Sequence, residues 1–169
     1  MRVQLFPHPT TPRPDLTLDV EVRRSGERLS LEYRLGGAVM GVRWPDPQPR
    51  ERTDGLWRTT CFEAFVGDDA GGYAEFNLSP SGAWAAYGFD GYRDGMRPLD
   101  IPPPASAVRH APQAFALTAD LTLPTDAGSR IGLSAVIEGL DGTISYWALA
   151  HSSDKPDFHS SDTRLLDLP

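Results

Sequence analysis

The chain has a single cysteine, fewer basic than acidic residues, and no long hydrophobic run. Cys61 has no partner for an internal disulfide, which agrees with a reducing compartment. With 16 Lys and Arg against 23 Asp and Glu, the net charge of −7 opposes binding to nucleic-acid phosphates or an anionic membrane. No segment approaches the roughly 20 apolar residues that span a bilayer, and residues 1–14 lack a signal-peptide core. We therefore expect a cytoplasmic protein that has neither nucleic acid nor membrane as a partner.

Several catalytic signatures are missing as well. The sequence has no Gly-rich phosphate loop, no Gly-x-Ser-x-Gly elbow and no Cys-x-x-Cys pair. Cys61 stands between Thr60 and Phe62 in a predicted strand with no neighbouring base, so we interpret it as a small buried hydrophobic residue.

The 169 residues are enough for one sizeable core, so we predict a single domain over 1–169. No stretch of a dozen residues has a 3.6-residue apolar period. Apolar and polar residues instead alternate along 16–23 and 29–35, with a Gly turn between them, and again along 115–123 and 131–137. Asp141-Gly142 is a hairpin signal before 143–150. These patterns predict an all-β fold, an antiparallel β-sandwich of about ten strands.

The remaining segments complete this prediction. Residues 38–43 read as a short apolar strand, and 165–168 as a closing edge strand. Three prolines make 44–54 an exposed loop, because proline cannot donate to a sheet ladder.

The stretch 54–93 reads as three strands joined by tight turns. Alternation places Phe62, Ala64 and Val66 on one face of the first strand and Cys61, Glu63 and Phe65 on the other. In the second strand Ala74, Phe76 and Leu78 oppose Tyr73, Glu75 and Asn77. Pairing the apolar faces puts Glu63 across from Glu75, and Cys61 across from Asn77.

A turn at Ser79-Pro80-Ser81-Gly82 would bring Trp84 beside Asn77, Ala86 beside Glu75 and Gly88 beside Tyr73. The resulting face groups carboxylates, an amide and an indole beside small residues. Sugar hydroxyls bind carboxylates and amides, and the apolar face of a pyranose stacks on Trp, so this face suits a carbohydrate or small polyol. An ordinary solvated sheet face is the alternative.

Several segments in order resemble DOMON-like proteins, small bacterial β-sandwiches related to family 9 carbohydrate-binding modules. The segments are Leu-Trp-Arg-Thr-Thr-Cys-Phe-Glu-Ala-Phe (56–65), Tyr-Ala-Glu-Phe-Asn-Leu-Ser-Pro-Ser-Gly-Ala-Trp-Ala-Ala-Tyr (73–87), Phe-Asp-Gly-Tyr-Arg (89–93), Tyr-Trp-Ala-Leu-Ala-His (146–151) and Lys-Pro-Asp-Phe-His (155–159). The resemblance implies an immunoglobulin-like or jelly-roll sandwich that binds a ligand without transforming it.

The resemblance also implies site residues. In family 9 modules a Trp and a Glu six residues later line the sugar pocket, and Trp57 and Glu63 have that spacing. Trp147 is the candidate for a second clamping Trp, and Asn77 or Glu75 would add hydrogen bonds. With Tyr73 and Trp84 from the face described above, these residues form the predicted ligand site.

Other functions remain open. Glu63 and Glu75 could be the paired carboxylates of a retaining glycosidase, about 5–5.5 Å apart. Trp57 and Trp84 could instead anchor a protein partner.

We expect no cofactor, although the sequence contains residue types that could bind haem, a metal ion or calcium. Haem-binding relatives use Met and His, and the chain has Met40, Met96 and four histidines. The segment 151–159 holds two histidines and two aspartates but no recognised metal spacing. Family 9 modules carry structural calcium, for which Asp68 and Asp69 offer oxygens; a solvated turn is the alternative.

Overall fold

The structure is a computed structural model that describes residues 1–68 and 71–168. These residues form twelve β-strands and three 3-10 helices, so the all-β prediction is confirmed. In chain order the strands are β1 (Arg2–Pro7), β2 (Leu16–Ser25), β3 (Arg28–Gly37), β4 (Cys61–Gly67), β5 (Tyr73–Leu78), β6 (Trp84–Phe89), β7 (Arg97–Pro98), β8 (Ala105–Ala111), β9 (Ala114–Thr122), β10 (Arg130–Glu138), β11 (Ile144–Ala148) and β12 (Leu166–Asp167). The 3-10 helices are Val39–Gly41, Leu56–Arg58 and Ser161–Thr163.

The strands form one continuous antiparallel sheet in the order β7-β6-β5-β4-β10-β11-β1-β2-β3-β9-β8, with β12 beside β10. Continuity depends on β1, whose first residues pair with β2 while Phe6 and Pro7 pair with β11. The sheet curls so that its two halves face each other. A sandwich of two separate sheets is therefore not confirmed.

One local prediction is wrong, and one strand was missed. The predicted strand at 38–43 is a 3-10 helix, Val39–Gly41, followed by a single bridge from Val42 to Gly139. The first strand, β1, was not predicted, because its alternation covers only six residues and ends in a proline. The predicted edge strand at 165–168 is present as the two-residue β12.

Alternation along β2, β3 and β9 places one face of each strand in the core, as predicted. Aromatic side chains from the two halves of the sheet meet there: the ring centroids of Tyr33 and Phe62 are 5.0 Å apart, and Phe62 stacks on Phe115 at 5.7 Å. The turn at Gly26, with φ of 61°, closes the β2–β3 hairpin between Ser25 and Arg28. The opposite face of this half carries ion pairs such as Arg34 with Glu32.

The β4–β5–β6 half differs, because every residue of these three strands is buried. Its second face packs beneath loops rather than against water. A second apolar cluster forms there from Phe65, Tyr73, Tyr87, Phe89 and Phe158 together with Ala85, Val136 and Ala148. The loop at 44–54 does not provide this cover; it runs along the edge of β6, where Thr53 donates its backbone N–H to the carbonyl of Trp84.

Within 1–68 and 71–168, no helix has the length and apolar character needed to cross a membrane.

Candidate functional site

The faces of β4 and β5 are as predicted, but their register is not. Glu63 pairs with Asn77, and Phe65 pairs with Glu75, so the predicted pairing of Glu63 with Glu75 is wrong by two residues. The hairpin closes at Gly67 and Tyr73, and the connecting loop is longer than a tight turn. A shift of two residues keeps every side chain on its face and changes only its neighbours across the strands.

The register of β5 and β6 differs by one residue from the prediction. Ser79 pairs with Ala83 across a turn in which Gly82 has φ of 99°, so Trp84 lies across from Leu78 rather than beside Asn77. A one-residue change moves every side chain of the strand to the opposite face. Ala86 and Gly88 consequently leave the polar face, and Ala85, Tyr87 and Phe89 lie beside Asn77, Glu75 and Tyr73.

Trp84 therefore belongs to the core, and so does Trp147. Trp84 is 5% exposed, and the guanidinium of Arg52 lies 4.4 Å from its ring centroid. Trp147 is 2% exposed, and its indole Nε1 donates to the hydroxyl of Ser145 at 2.9 Å. Neither indole stands on the face that holds Glu63, so the predicted placement of Trp84 there is corrected.

Of the three tryptophans in the predicted site, Trp57 is the exposed one. It lies in the 3-10 helix Leu56–Arg58, just before β4, and half of its surface is exposed. Its neighbour Leu56 packs on the second apolar cluster, which fixes the helix against the sheet. Trp57 itself is not part of that cluster, and the guanidinium of Arg58 lies 5.3 Å from its ring centroid.

Glu63, Glu75 and Asn77 form a buried polar cluster with Ser134 of β10. Asn77 Nδ2 donates to Glu75 Oε1 at 2.6 Å, and Ser134 Oγ donates to Glu63 Oε2 at 3.0 Å. The three predicted residues are between 1% and 5% exposed. The structure brings them together as predicted, but beneath a cover of loops.

Burial determines the charge of this cluster. Desolvation, with a further contribution from the charge of Glu75, raises the pKa of Glu63 to about 8. Desolvation also raises the pKa of Glu75, although the bond from Asn77 and the charge of Arg93 oppose it. Near neutral pH, the Glu63 carboxyl therefore retains its proton in the folded protein.

His159 comes from the far end of the chain and lies against this cluster. Its Nδ1 is 2.7 Å from the hydroxyl of Tyr73, and its Nε2 is 3.9 Å from Glu75 Oε2, beyond hydrogen-bond distance. The rings of Phe65 and Phe89 meet the imidazole edge-on, each at 5.3 Å. Desolvation, and then the charge of Arg93, lowers the pKa of His159 to about 4, so the imidazole is neutral near pH 7.

Asp157 holds the segment that carries His159 in place. Its Oδ1 accepts from the backbone N–H of His159 at 3.1 Å and from Arg93 at 3.0 Å, and its Oδ2 accepts from the hydroxyl of Tyr92 at 2.8 Å. The sequence interpretation missed this group. The segment Lys-Pro-Asp-Phe-His (155–159) was considered only for its resemblance to relatives and as part of a possible metal site.

Asp54 provides a further carboxylate, close to the point where the Trp57 helix meets the sheet. The hydroxyl of Tyr87 donates to Asp54 Oδ1 at 2.5 Å, and Tyr87 is the cross-strand neighbour of Glu75. Burial and the bond to Asp54 raise the pKa of Tyr87. This bond joins the exposed segment before Trp57 to the strand that borders the buried polar cluster.

The possible metal ligands considered from the sequence, although no metal site was predicted, are not brought together in the part of the chain that the structure describes, where no three or more His, Cys, Asp or Glu side chains are grouped so that they could hold an ion. His151 contacts His8 and the carbonyl of Phe6, whereas His159 contacts Tyr73. Asp68 accepts from the backbone of Ser129, and Asp69 lies outside the described residues.

Two further sequence interpretations concern sulfur. Cys61 is fully buried, and desolvation raises the pKa of its thiol well above the ordinary value, which agrees with a small hydrophobic residue. Met40 and Met96, the methionines considered for haem, are 73% and 61% exposed.

No protein-family model matches the chain, and no curated protein does. Solved structures share its fold. One is a protein from Bacteroides uniformis for which carbohydrate binding is proposed: 15% identity, 95% of this chain and 84% of that chain covered, TM-score 0.62. Another is a family 9 carbohydrate-binding module from Caldicellulosiruptor kristjanssonii in complex with glucose: 9% identity, 82% and 69% covered, TM-score 0.52.

A family 9 module from the same organism in complex with cellotriose matches at 9% identity, 82% and 67% coverage, and a TM-score of 0.52. At these identities the likeness shows the fold alone. The predicted resemblance to family 9 modules is thus supported at the level of the fold. None of these matches is a DOMON domain, so the resemblance to DOMON-like proteins is not shown.

Proposed function

We propose that the protein is a non-catalytic domain that binds a carbohydrate or a similar small polyol. The observation that carries this proposal is the grouping of Glu63, Glu75 and Asn77 on one sheet face, beside the helix that bears Trp57. The protein shares its fold with family 9 modules that were solved with glucose and with cellotriose, which supports a ligand of the same class.

The chemistry of the cluster supports a hydroxyl-rich ligand. Carboxyl and amide groups accept and donate the hydrogen bonds that sugar hydroxyls make, and the exposed indole of Trp57 offers a flat surface for a pyranose. Burying two carboxyls at one place costs stability, and groups with perturbed pKa values concentrate at functional sites. Tyr73, next to Glu75 on β5, would add a phenol hydroxyl to the same face.

The observed register argues against a retaining glycosidase, the catalytic alternative that the sequence left open. A retaining pair needs its two carboxyls about 5–5.5 Å apart, which direct opposition of Glu63 and Glu75 across β4 and β5 would give. In the observed register the two residues are diagonal neighbours, whose side chains start farther apart than a directly opposed pair. We propose that the domain binds its ligand without transforming it, as the resemblance to family 9 modules implies.

The narrower parts of the interpretation belong to the same proposal. We assign the protein to the DOMON-like group of sandwich domains and to the cytoplasm, on the sequence resemblance and the lone Cys61. Trp84 and Trp147 would contribute to the site only through the packing of the strands that carry it.

Titration with a panel of mono- and disaccharides, followed by tryptophan fluorescence and calorimetry, tests the proposal. We expect at least one sugar to bind, with Trp57→Ala raising its Kd about ten-fold or more. Trp57→Phe, which keeps an aromatic face, should raise it less. No response across the panel, with Trp57→Ala behaving as wild type, would contradict sugar binding and favour a protein partner for the exposed Trp57 surface.

A further inference from the structure

A pocket of about 410 Å³ opens beside the buried polar cluster, between the loop after β6 and the segment before β12. Its walls include Tyr73, Tyr92, His159, Ser161 and Arg164. The Trp57 helix lies at the opposite end of β4, because it precedes Cys61 whereas the pocket borders Tyr73, the partner of Gly67. Along β5, the four residue steps from Asn77 to Tyr73 span about 13 Å. The two places are thus too far apart for a single sugar ring to touch both.

Bonds between its two loops preform the pocket. Asp157 accepts from Tyr92 and from Arg93, so the loop after β6 is tied to the segment that carries His159. The backbone N–H of Arg93 also donates to the hydroxyl of Tyr73 at 3.2 Å. Among the described residues, Arg93 is the one non-glycine residue with a positive φ, 53°. Such a backbone conformation costs energy and persists where the surrounding contacts hold it, as they do here.

The pocket combines aromatic surface with hydrogen-bonding groups. Tyr92 is 61% exposed, and the guanidinium of Arg93 lies 5.8 Å from the centroid of its ring. Arg164 is 3% exposed; its guanidinium lies 4.8 Å from the ring centroid of Tyr73, and its Nη1 donates to the carbonyl of His159 at 3.3 Å. His159 is neutral near pH 7, and a neutral imidazole both donates and accepts.

We propose that this pocket, which we call the Tyr92 pocket, is a second sugar subsite, separate from the surface of Trp57. An apolar pyranose face would lie on the ring of Tyr92, and its hydroxyls would reach the imidazole of His159, the hydroxyl of Ser161 and the guanidinium of Arg164. This inference rests on the proposed function, because it takes the ligand to be a sugar. It assigns to that ligand three residues outside the predicted ligand site: Tyr92, His159 and Arg164.

The imidazole of His159 gives a direct measurement. Nitrogen-correlated NMR spectra of the protein should resolve signals from its four histidines, and His159→Gln would identify the one that belongs to the pocket. The Trp57→Ala variant is titrated with glucose, cellobiose and cellotriose, so that binding at the Trp57 surface is removed. We expect the His159 signal to move with saturation while the signals of His8, His110 and His151 stay in place.

Tyr92→Ala and Tyr92→Phe form a matched pair. The Phe variant keeps the ring and loses only the hydroxyl bond to Asp157, so its Kd for the subsite should rise less than about three-fold. The Ala variant loses the stacking surface and should raise the Kd ten-fold or more. Because Tyr92 is largely exposed, both variants should fold, and thermal unfolding checks this.

The outcomes separate the two proposals. If sugars change the fluorescence of the wild-type protein but leave the His159 signal unmoved, the Tyr92 pocket is not a subsite and the proposed function stands. Equal affinity in wild type and Tyr92→Ala would likewise overturn the subsite alone. If no sugar of the broad panel affects either readout, the proposed function fails and the subsite falls with it.

Discussion

Replacing Glu63 with Gln should stabilise the protein near neutral pH and leave its stability unchanged in acid. The pKa of Glu63 is raised from an ordinary value of 4.5 to about 8 in the folded protein, mainly by desolvation. Below pH 4.5 the carboxyl is protonated in both the folded and the unfolded chain, so it contributes no pH dependence. Between pH 4.5 and 8 the unfolded chain releases the proton and the folded protein keeps it. The free energy of unfolding therefore falls as the pH rises.

The size of the effect follows from the pKa shift. Each pH unit in this window corresponds to about 1.4 kcal/mol for one group. At pH 7, roughly 2.5 units above the ordinary pKa, the carboxyl lowers the free energy of unfolding by about 3 kcal/mol relative to a permanently neutral side chain. Gln is nearly isosteric, and its amide oxygen can accept from Ser134 as the carboxyl does. Glu63→Gln should recover most of that free energy.

Urea unfolding at pH 4.5, 6, 7 and 8 measures the difference between variant and wild type. We expect it to be close to zero at pH 4.5 and to grow up to pH 8, where it should level off. Glu27→Gln is the matched control, because Glu27 is exposed in the turn between β2 and β3, and its difference from wild type should stay small at every pH. A Glu63→Gln difference that is constant from pH 4.5 to 8 would show that this carboxyl is hydrated in the folded protein, and the buried cluster would be refuted.

Three other consequences are open to measurement. Trp84→Phe should change the free energy of unfolding less than Trp147→Phe. The described residues offer no hydrogen-bond partner to Trp84 Nε1, whereas Trp147→Phe loses the bond from the indole to Ser145, worth about 1 kcal/mol. Denaturant midpoints of the two variants compare these costs, and a larger cost at Trp84 would contradict the placement of the two indoles. The imidazole of His159 should titrate near pH 4 by NMR, so its contribution to the free energy of unfolding is lost as the pH falls from 6.5 towards 4. Arg93→Gln should raise the pKa of His159, because the charge of Arg93 lowers it. A pKa near 6.5 in the wild-type protein would mean that the ring is solvated. Phe158→Ala should lower the free energy of unfolding by about 3 kcal/mol, because the ring is buried in the second apolar cluster. A loss below about 1 kcal/mol would mean that the segment carrying Phe158 does not cover the sheet.

Alternation along the strands was enough to predict which side chains share a face. Phe62 and Phe76 are in the core, and Glu63 and Asn77 share the opposite face, because the side-chain period of a strand is two. The register was not predictable in the same way, because it depends on how many residues each turn takes up. One residue more than assumed between β5 and β6 sent Trp84 to the core.

The cover over the polar face was also beyond the sequence. Alternation of polar and apolar residues in β5 normally means one wet face, and here that face is closed by Phe158 and His159, more than 80 residues further along the chain. The ordering of that segment depends on Asp157 meeting Tyr92 and Arg93, which are distant from it in sequence. Contacts of this kind leave no periodic pattern, so only the three-dimensional arrangement reveals them.

The position of the cover has a consequence for how a ligand would reach the buried cluster. Leu56 and Phe158 pack on the second apolar cluster above the sheet, and Trp57 stands outside this layer. On the other side, the imidazole of His159 borders the Tyr92 pocket while its Nε2 faces Glu75 at 3.9 Å. A ligand hydroxyl that displaced the Tyr73 hydroxyl from His159 would therefore lie one side chain away from the carboxyl of Glu75. Under the proposed function, the Tyr92 pocket would give a sugar a route towards Glu75, at the end of β5 that lies away from Trp57.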